Sequence, residues 1–215
     1  MVNNIISKGI ILGDYTNPPY HPLKDVDVEI KGIFQEEIEF EATEDYSMLN
    51  YEKLNNYHLL VLYTDCFSVP QPKAYINSII KYVENGGNLL VIHNGISLQE
   101  DEAFVDLIGA RFTGHPDYTE LKISVKEPKH PISEGIDEFI IPEEPYRYEL
   151  KEDDNKLIIL DYTHEGQIYP AAWCKFIGKG KLVYLMPGHN LASFKNENYR
   201  KIIYQSGKWL LQKIN

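Results

Sequence analysis

A chain of 215 residues, 43% hydrophobic and 25% charged, has the size and composition of a globular protein with room for a large core, most simply one domain over residues 1-215. Its formal net charge of -11 would repel a phosphate backbone, which argues against nucleic acid as a partner. No stretch approaches the length of a membrane span, and the first residues carry neither a long apolar core nor a small-residue cleavage site, so the expected location is the cytoplasm, away from membranes.

Ile5 to Leu12 reads as the first strand, and Gly13 to Pro22, with prolines at 18, 19 and 22, as a loop at its carboxyl end. Leu23, Val26, Ile30, Ile33 and Phe34 share one helical face. Ile38, Phe40 and Ala42 alternate with acidic residues, as in a strand with one exposed face near a sheet edge. A short helix or irregular connection follows from Asp45 to Asn56. Leu59 to Tyr63 is an unbroken apolar run ending in Thr64-Asp65-Cys66, and a helix through Ile76, Ile79, Ile80 and Val83 is placed to end at Gly86.

Gly86 to Gly95 organises the rest. Asn88 to Ile92 is apolar without alternation, the mark of a parallel strand covered on both faces, and His93 arrives where the run stops. In open α/β sheets ligands bind beyond the carboxyl ends of the strands, which places His93 and Asn94 at such a crevice. Asn94-Gly95 is expected to take positive φ and reverse the chain. A helix from Glu102 to Gly109 completes a strand-helix alternation that predicts βαβ units and a parallel sheet between helical layers.

Beyond Gly109 the texture changes. Ala110 to Pro116 reads as a loop, Leu121, Ile123 and Val125 as an alternating strand, and His130-Pro131-Ile132 as a turn. Phe139 to Tyr146 sets Glu143 and Glu144 between two prolines, and Leu157 to Leu160 is a strand. Ala171 to Phe176 and Lys181 to Leu185 form a hairpin about Gly178-Lys179-Gly180, followed by Pro187-Gly188-His189-Asn190 and a helix from Tyr199 to Leu211. On that helix Trp209 and Leu210 either pack inside the chain or join subunits of a homo-oligomer.

The polar groups at or beside strand ends are His93, His115, Glu143 with Glu144, and His189. His189 reaches the edge that holds His93 only if its strand runs parallel to a neighbour. Imidazoles and a carboxylate in one crevice can hold a divalent metal, zinc or manganese, or can serve as acid and base without one. A lone histidine after a strand is more often structural. His130 fits a turn, and His58 and His164 have no evident partner. Tyr146, Tyr148, Tyr162, Tyr169 and Trp173 suit either a core or a wall for stacking sugars; sixteen tyrosines make clustering easy. Cys66 and Cys174 lie far apart in apolar surroundings, which fits reduced thiols, and the turn where a cysteine nucleophile would stand carries His93. Neither GxGxxG after the first strand nor GxxxxGK[ST] occurs.

Six ordered segments carry a family resemblance: GGNLLVIHNG (86 to 95), IGARFTGHP (108 to 116), KHPISEGI (129 to 136), EEPYRY (143 to 148), PAAWCKFIGKGKLVYLMPGH (170 to 189) and YQSGKWLL (204 to 211). Together they resemble the ThuA-like (trehalose utilisation) family, itself similar to the class I glutamine amidotransferase fold. The resemblance implies an α/β, flavodoxin-like three-layer α/β/α sandwich with a mainly parallel central sheet. It also implies a place in disaccharide or keto-sugar metabolism. The matching positions are His93, His115, Glu144 and His189, with Glu144 preferred to Glu143 because it precedes Pro145-Tyr146. The expectation is a protein acting on a small-molecule sugar derivative by acid/base or metal-assisted chemistry, without a cysteine nucleophile. Glu144, His93 and His189 carry the chemistry in this reading. His115, Asn94, Tyr146 and Trp173 contact the substrate, and His93, His115 and His189 are the candidate metal ligands. The alternative is a non-catalytic sugar-binding or regulatory module on the same scaffold.

Overall fold

Chain segments that are apolar without alternation become the middle of one sheet. The computed structural model describes residues 6–212 apart from 17, 36, 68, 153 and 154. Its elements in chain order are β1 (Ser7–Gly13), α1 (Val26–Phe34), β2 (Ile38–Thr43), α2 (Tyr51–Leu54), β3 (Leu59–Tyr63), α3 (Lys73–Glu84), β4 (Asn88–Ile92) and α4 (Glu102–Ile108). These are followed by β5 (Ala110–Gly114), β6 (Thr119–Val125), β7 (Phe139–Glu143), β8 (Arg147–Leu150), β9 (Leu157–His164), β10 (Gln167–Ile177), β11 (Gly180–Leu185) and α5 (Glu197–Leu211). Nine strands form a mixed sheet in the order β2-β1-β3-β4-β11-β10-β9-β6-β7. Pairing is parallel from β2 through β11 and antiparallel from β11 to β7. Helices α1 and α5 pack together on one face, with α2, α3 and α4 on the other, which makes the three layers of an α/β/α fold.

Every residue of β3 and β4 is buried, as expected of strands covered on both faces. Removing one of their leucines would cost about 2–5 kcal/mol. Among the described residues no helix is long and apolar enough to cross a membrane.

Several expectations change. The first strand runs from Ser7 to Gly13, and Ile5 lies outside the described residues. Ala110 to Gly114 is a strand rather than loop, because its backbone finds antiparallel partners in β8, far along the chain. Phe139 to Glu143 is likewise a strand, at the edge of the sheet, where Pro142 is tolerated. β9 continues to His164 and enters β10 through Glu165 (φ 50°) and Gly166 (φ 75°), a hairpin with two left-handed residues. Positive φ after β4 falls on His93 itself (46°), while Asn94 and Gly95 enter a 3-10 turn from His93 to Leu98. Gly95 is needed for close approach instead: a Cβ there would sit 2.2 Å from the Leu62 carbonyl oxygen.

Because β11 runs parallel to β4, with Leu185 opposite Ile92, the chain after each emerges at the same edge of the sheet. The loops after β1 and β3 emerge there too, since Gly13 pairs with Tyr63 and Leu62 with Val91. This edge carries the site.

Candidate functional site

Four side chains from four loops meet at that edge. One ligand atom from each of His21, His93, Glu144 and His189 can be chosen so that all lie within 4.8 Å of one another. The turn into His93 is left-handed, a conformation that non-glycine residues keep only when their surroundings enforce it. Gly188 supplies part of that enforcement at φ 139°, where a Cβ would lie 2.7 Å from Ile92 Cγ2 and 3.1 Å from His93 Cβ. The turn that delivers His189 is anchored by buried groups. The Tyr63 hydroxyl donates to the Gly188 carbonyl at 2.7 Å, and the Tyr199 hydroxyl donates to the Pro187 carbonyl. Glu143 accepts from Gly188 N–H at 2.8 Å, from His189 N–H at 3.2 Å and from the Ser193 hydroxyl. Its carboxyl is fully buried, and that burial pushes its pKa up to about 7 against the pull of these donors.

His21 comes from the proline-rich loop after β1. Asp65, at the end of β3, accepts the backbone N–H groups of Tyr20 and His21 at 2.7 and 2.9 Å, which fixes the loop's path. The same carboxylate stands 3.5 Å from His21 Nδ1. Burial opposes a charge on His21, but Asp65 and Glu144 outweigh it and raise its pKa above 6.5.

The electrostatics centre on Glu144. Oε2 lies 3.1 Å from His189 Nδ1, 3.3 Å from His93 Nε2 and 3.8 Å from His21 Nε2. Although partial burial acts to raise its pKa, hydrogen bonding by His189 and His21 holds the carboxyl well below the usual carboxylate range, so it is an anion. His93 is fully buried, and that burial drives its pKa down to about 4, so it is neutral at physiological pH. Its Nδ1 lies 2.6 Å from the Met186 carbonyl, which can only accept, so the proton sits on Nδ1. The Nε2 lone pair then faces an ionised carboxylate oxygen. Two acceptors pointed at one another from 3.3 Å require a proton or a cation between them. His21 Nε2 and His189 Nδ1 add two further nitrogens 3.2 Å apart.

Three nitrogens and one oxygen form a set that zinc accepts and that other divalent transition metals share. The outer contacts fit as well. His93 donates its other N–H to a backbone carbonyl and His21 turns its own toward Asp65, the arrangement that orients metal-ligating histidines. The residues present therefore suit a divalent cation.

An open cleft of about 590 Å³ lies above the cluster, lined by Tyr20, His21, Phe67, Phe112, His115, Glu144, Tyr146 and His189 among others. His115 stands on its wall, with Nε2 3.7 Å from Glu144 Oε1 and Nδ1 2.9 Å from the Pro116 carbonyl. Although named with the candidate ligands, it lies outside the tight four-residue group, and His21 takes that place. Tyr146 lies against His93 with ring centroids 4.1 Å apart.

Asn94 and Trp173, both expected at the substrate, are fully buried and do not line this cleft. Asn94 donates to the Thr64 carbonyl beneath the turn. Trp173 is held in the core by its indole N–H on the Ile108 carbonyl at 2.8 Å and by stacking on Tyr184. Trp209 and Leu210 are buried within the chain. Both cysteines are free and buried, and burial raises Cys66 to about 11 and Cys174 to about 12, which leaves neither prepared as a nucleophile.

Sequence reasoning passed over His21 and Asp65. The signal was available, since both lie just beyond the carboxyl ends of strands in the parallel part of the sheet, as His93 does.

The sequence model described as ThuA, trehalose utilisation, matches residues 21–210. In structure the chain is similar to a ThuA-like protein from Bacteroides uniformis, with 18% identity and a TM-score of 0.80 over 95% of this chain and 91% of that one. A ThuA-like protein from Parabacteroides merdae gives 16% and 0.75 over 97% and 92%. A cytoplasmic protein from Salmonella typhimurium gives 14% and 0.66 over 96% and 100%. Likeness at these identities establishes the fold. A comparison with curated proteins gives no match.

Proposed function

The chain belongs to the ThuA family, which points to a role in carbohydrate metabolism, and from that premise we propose that it is a metal-assisted enzyme acting on a sugar derivative. His21, His93, His189 and Glu144 hold one divalent cation, zinc or manganese, at the floor of the cleft. The observation that carries this reading is the convergence of His93 Nε2 and Glu144 Oε2, 3.3 Å apart, with two more imidazole nitrogens, all within 4.8 Å of one another. When bound, such a cation supplies Lewis acidity toward a carbonyl or hydroxyl oxygen beside it.

The chain's own residues supply the rest. Glu144, kept ionised by His189 and His21, is a ligand or a proton acceptor and is poorly suited to donate a proton. His115, half-exposed on the wall beside it, is placed to carry a proton between the sugar and solvent. Phe112, partly exposed on the cleft wall, presents a flat apolar face against which a sugar ring stacks, and Tyr146, 1% exposed, backs it from between Phe112 and His93. We place the protein in the cytoplasm, a reading supported by the cytoplasmic protein of Salmonella typhimurium that shares its fold.

The test is turnover. A set of disaccharides and their 3-keto derivatives is incubated with the metal-loaded protein, and the products are identified. Conversion that a chelator abolishes, and that Glu144→Gln and His115→Ala reduce by about 10²-fold or more, supports the reading. Conversion unaffected by either substitution contradicts it.

A further inference from the structure

A buried tyrosine hydroxyl ordinarily finds a hydrogen-bond partner within the chain, because a donor left without one has lost its water and gained nothing. Six tyrosines of the described chain are buried: Tyr63, Tyr82, Tyr146, Tyr162, Tyr184 and Tyr199. Five of them donate to main-chain carbonyls, Tyr63 to Gly188 at 2.7 Å, Tyr82 to Tyr57 at 3.2 Å, Tyr162 to Tyr146 at 2.5 Å, Tyr184 to His93 at 3.3 Å and Tyr199 to Pro187. Tyr146 is the exception. Among the described residues its hydroxyl has no hydrogen-bond partner, although the residue is only 1% exposed. That hydroxyl is not sealed from solvent, so the sliver of surface that Tyr146 keeps, on the wall of the cleft, includes its tip.

The rest of the residue is fixed. Its ring lies between His93 and Phe112, with centroids 4.1 and 4.2 Å away, its carbonyl accepts from the Tyr162 hydroxyl, and its N–H donates to the Glu144 carbonyl at 2.9 Å. A hydroxyl held this way loses little further freedom when it takes a partner from outside the chain. It also belongs to the histidine cluster's surroundings, by stacking on His93 and by standing two positions after Glu144. A phenol is protonated at neutral pH, so it meets a ligand as a donor.

We propose that the Tyr146 hydroxyl is a direct ligand-binding group, donating a hydrogen bond to an oxygen of the sugar held at the histidine cluster. This rests on the sugar reading above. The ring supports the wall and the hydroxyl alone reaches the ligand, so Tyr146→Phe keeps the support and removes only the donor.

Tyr82→Phe is the matching control, since the Tyr82 hydroxyl serves the Tyr57 carbonyl beside Asn88, the first residue of β4 and thus at the far edge of the sheet. Thermal unfolding, zinc titration and calorimetric titration with trehalose and its 3-keto derivative are run on the full chain and both variants, the last with and without zinc. Tyr146→Phe should melt within about 1 °C of the wild type and match its zinc uptake, yet bind the sugar probes about tenfold more weakly. Tyr82→Phe should melt about 3 °C or more lower and bind the probes as the wild type does. A melting temperature lowered in Tyr146→Phe as in the control would make the hydroxyl structural, lost zinc affinity would make it act through His93, and unchanged probe affinity would leave it no ligand. Each of these overturns the assignment, and wild-type binding of a probe in those cases leaves the sugar reading standing. Failure of the wild type to bind either probe also overturns the assignment, and the sugar reading is then decided by turnover alone.

Discussion

Gly188 and His93 are in such close contact that a Cβ on the glycine would lie 3.1 Å from the Cβ of the histidine and 2.7 Å from Ile92 Cγ2. The two turns that carry His93 and His189 are therefore one packed unit, and the geometry of the site depends on a missing side chain. Gly188→Ala must also bear φ 139°. It should lose about 1–3 kcal/mol in urea unfolding and weaken metal binding by tenfold or more. Wild-type metal affinity in this variant would show that the turns move independently.

Glu143 acts on the same turn from the other side. Its buried oxygens receive two backbone N–H groups and the Ser193 hydroxyl, so Glu143→Gln turns an amide N–H₂ toward donors it cannot accept from. The expected loss is about 1–3 kcal/mol, together with weaker metal binding, although Glu143 reaches the proposed ligands only through the backbone N–H of His189. Thermal unfolding and metal titration of the same preparation check both. A variant that is destabilised but binds metal normally would confine Glu143 to a structural role.

The place of His93 was legible in the sequence because unbroken apolar strands mark a parallel sheet and such sheets place ligands at their carboxyl edge, whereas His189 depended on an assumed parallel strand and the choice of Glu144 on the family resemblance. His21 was not, since the path of its loop is fixed by Asp65, a tertiary contact across 44 positions. β5 escaped for the same reason: Ala110 to Gly114 has little alternation of its own, and its partner begins at Arg147. Glu143 and Glu144 are neighbours with opposite roles. The strand ends on Glu143, buried under the His189 turn, and the next residue enters the cleft. Aromatic residues were the least readable class, because Trp173 and Tyr146 look alike in sequence and only packing separates core from cleft.

Trp173→Phe measures that separation. It removes the indole N–H from the Ile108 carbonyl, leaving a buried acceptor unpaired at a cost of about 1–3 kcal/mol, and should leave the affinity for any cleft ligand unchanged. A change of affinity without a change of stability would put Trp173 at the ligand after all.

Cys174 gives a pH dependence whose sign is fixed by its burial. Its pKa, 9.0 ordinarily, is pushed up to about 12, so between these values the folded chain holds a proton that the unfolded chain has released. This contribution to stability declines as pH rises from about 9 to 12. Cys174→Ala should show a shallower alkaline decline in unfolding free energy, and iodoacetamide at pH 8 should modify the native wild type far more slowly than the denatured chain. Rapid native alkylation would contradict the burial.

The central claim is that His93 Nε2 and Glu144 Oε2 face a shared cation. Titration of the metal-free protein with zinc and with manganese, followed by calorimetry, addresses it most directly. The wild type should take up one equivalent of at least one of them, and His93→Ala, His21→Ala and Glu144→Gln should each lose about 10–100-fold or more in affinity while remaining folded. Negligible uptake by the wild type, or equal uptake by all four proteins, would contradict the account.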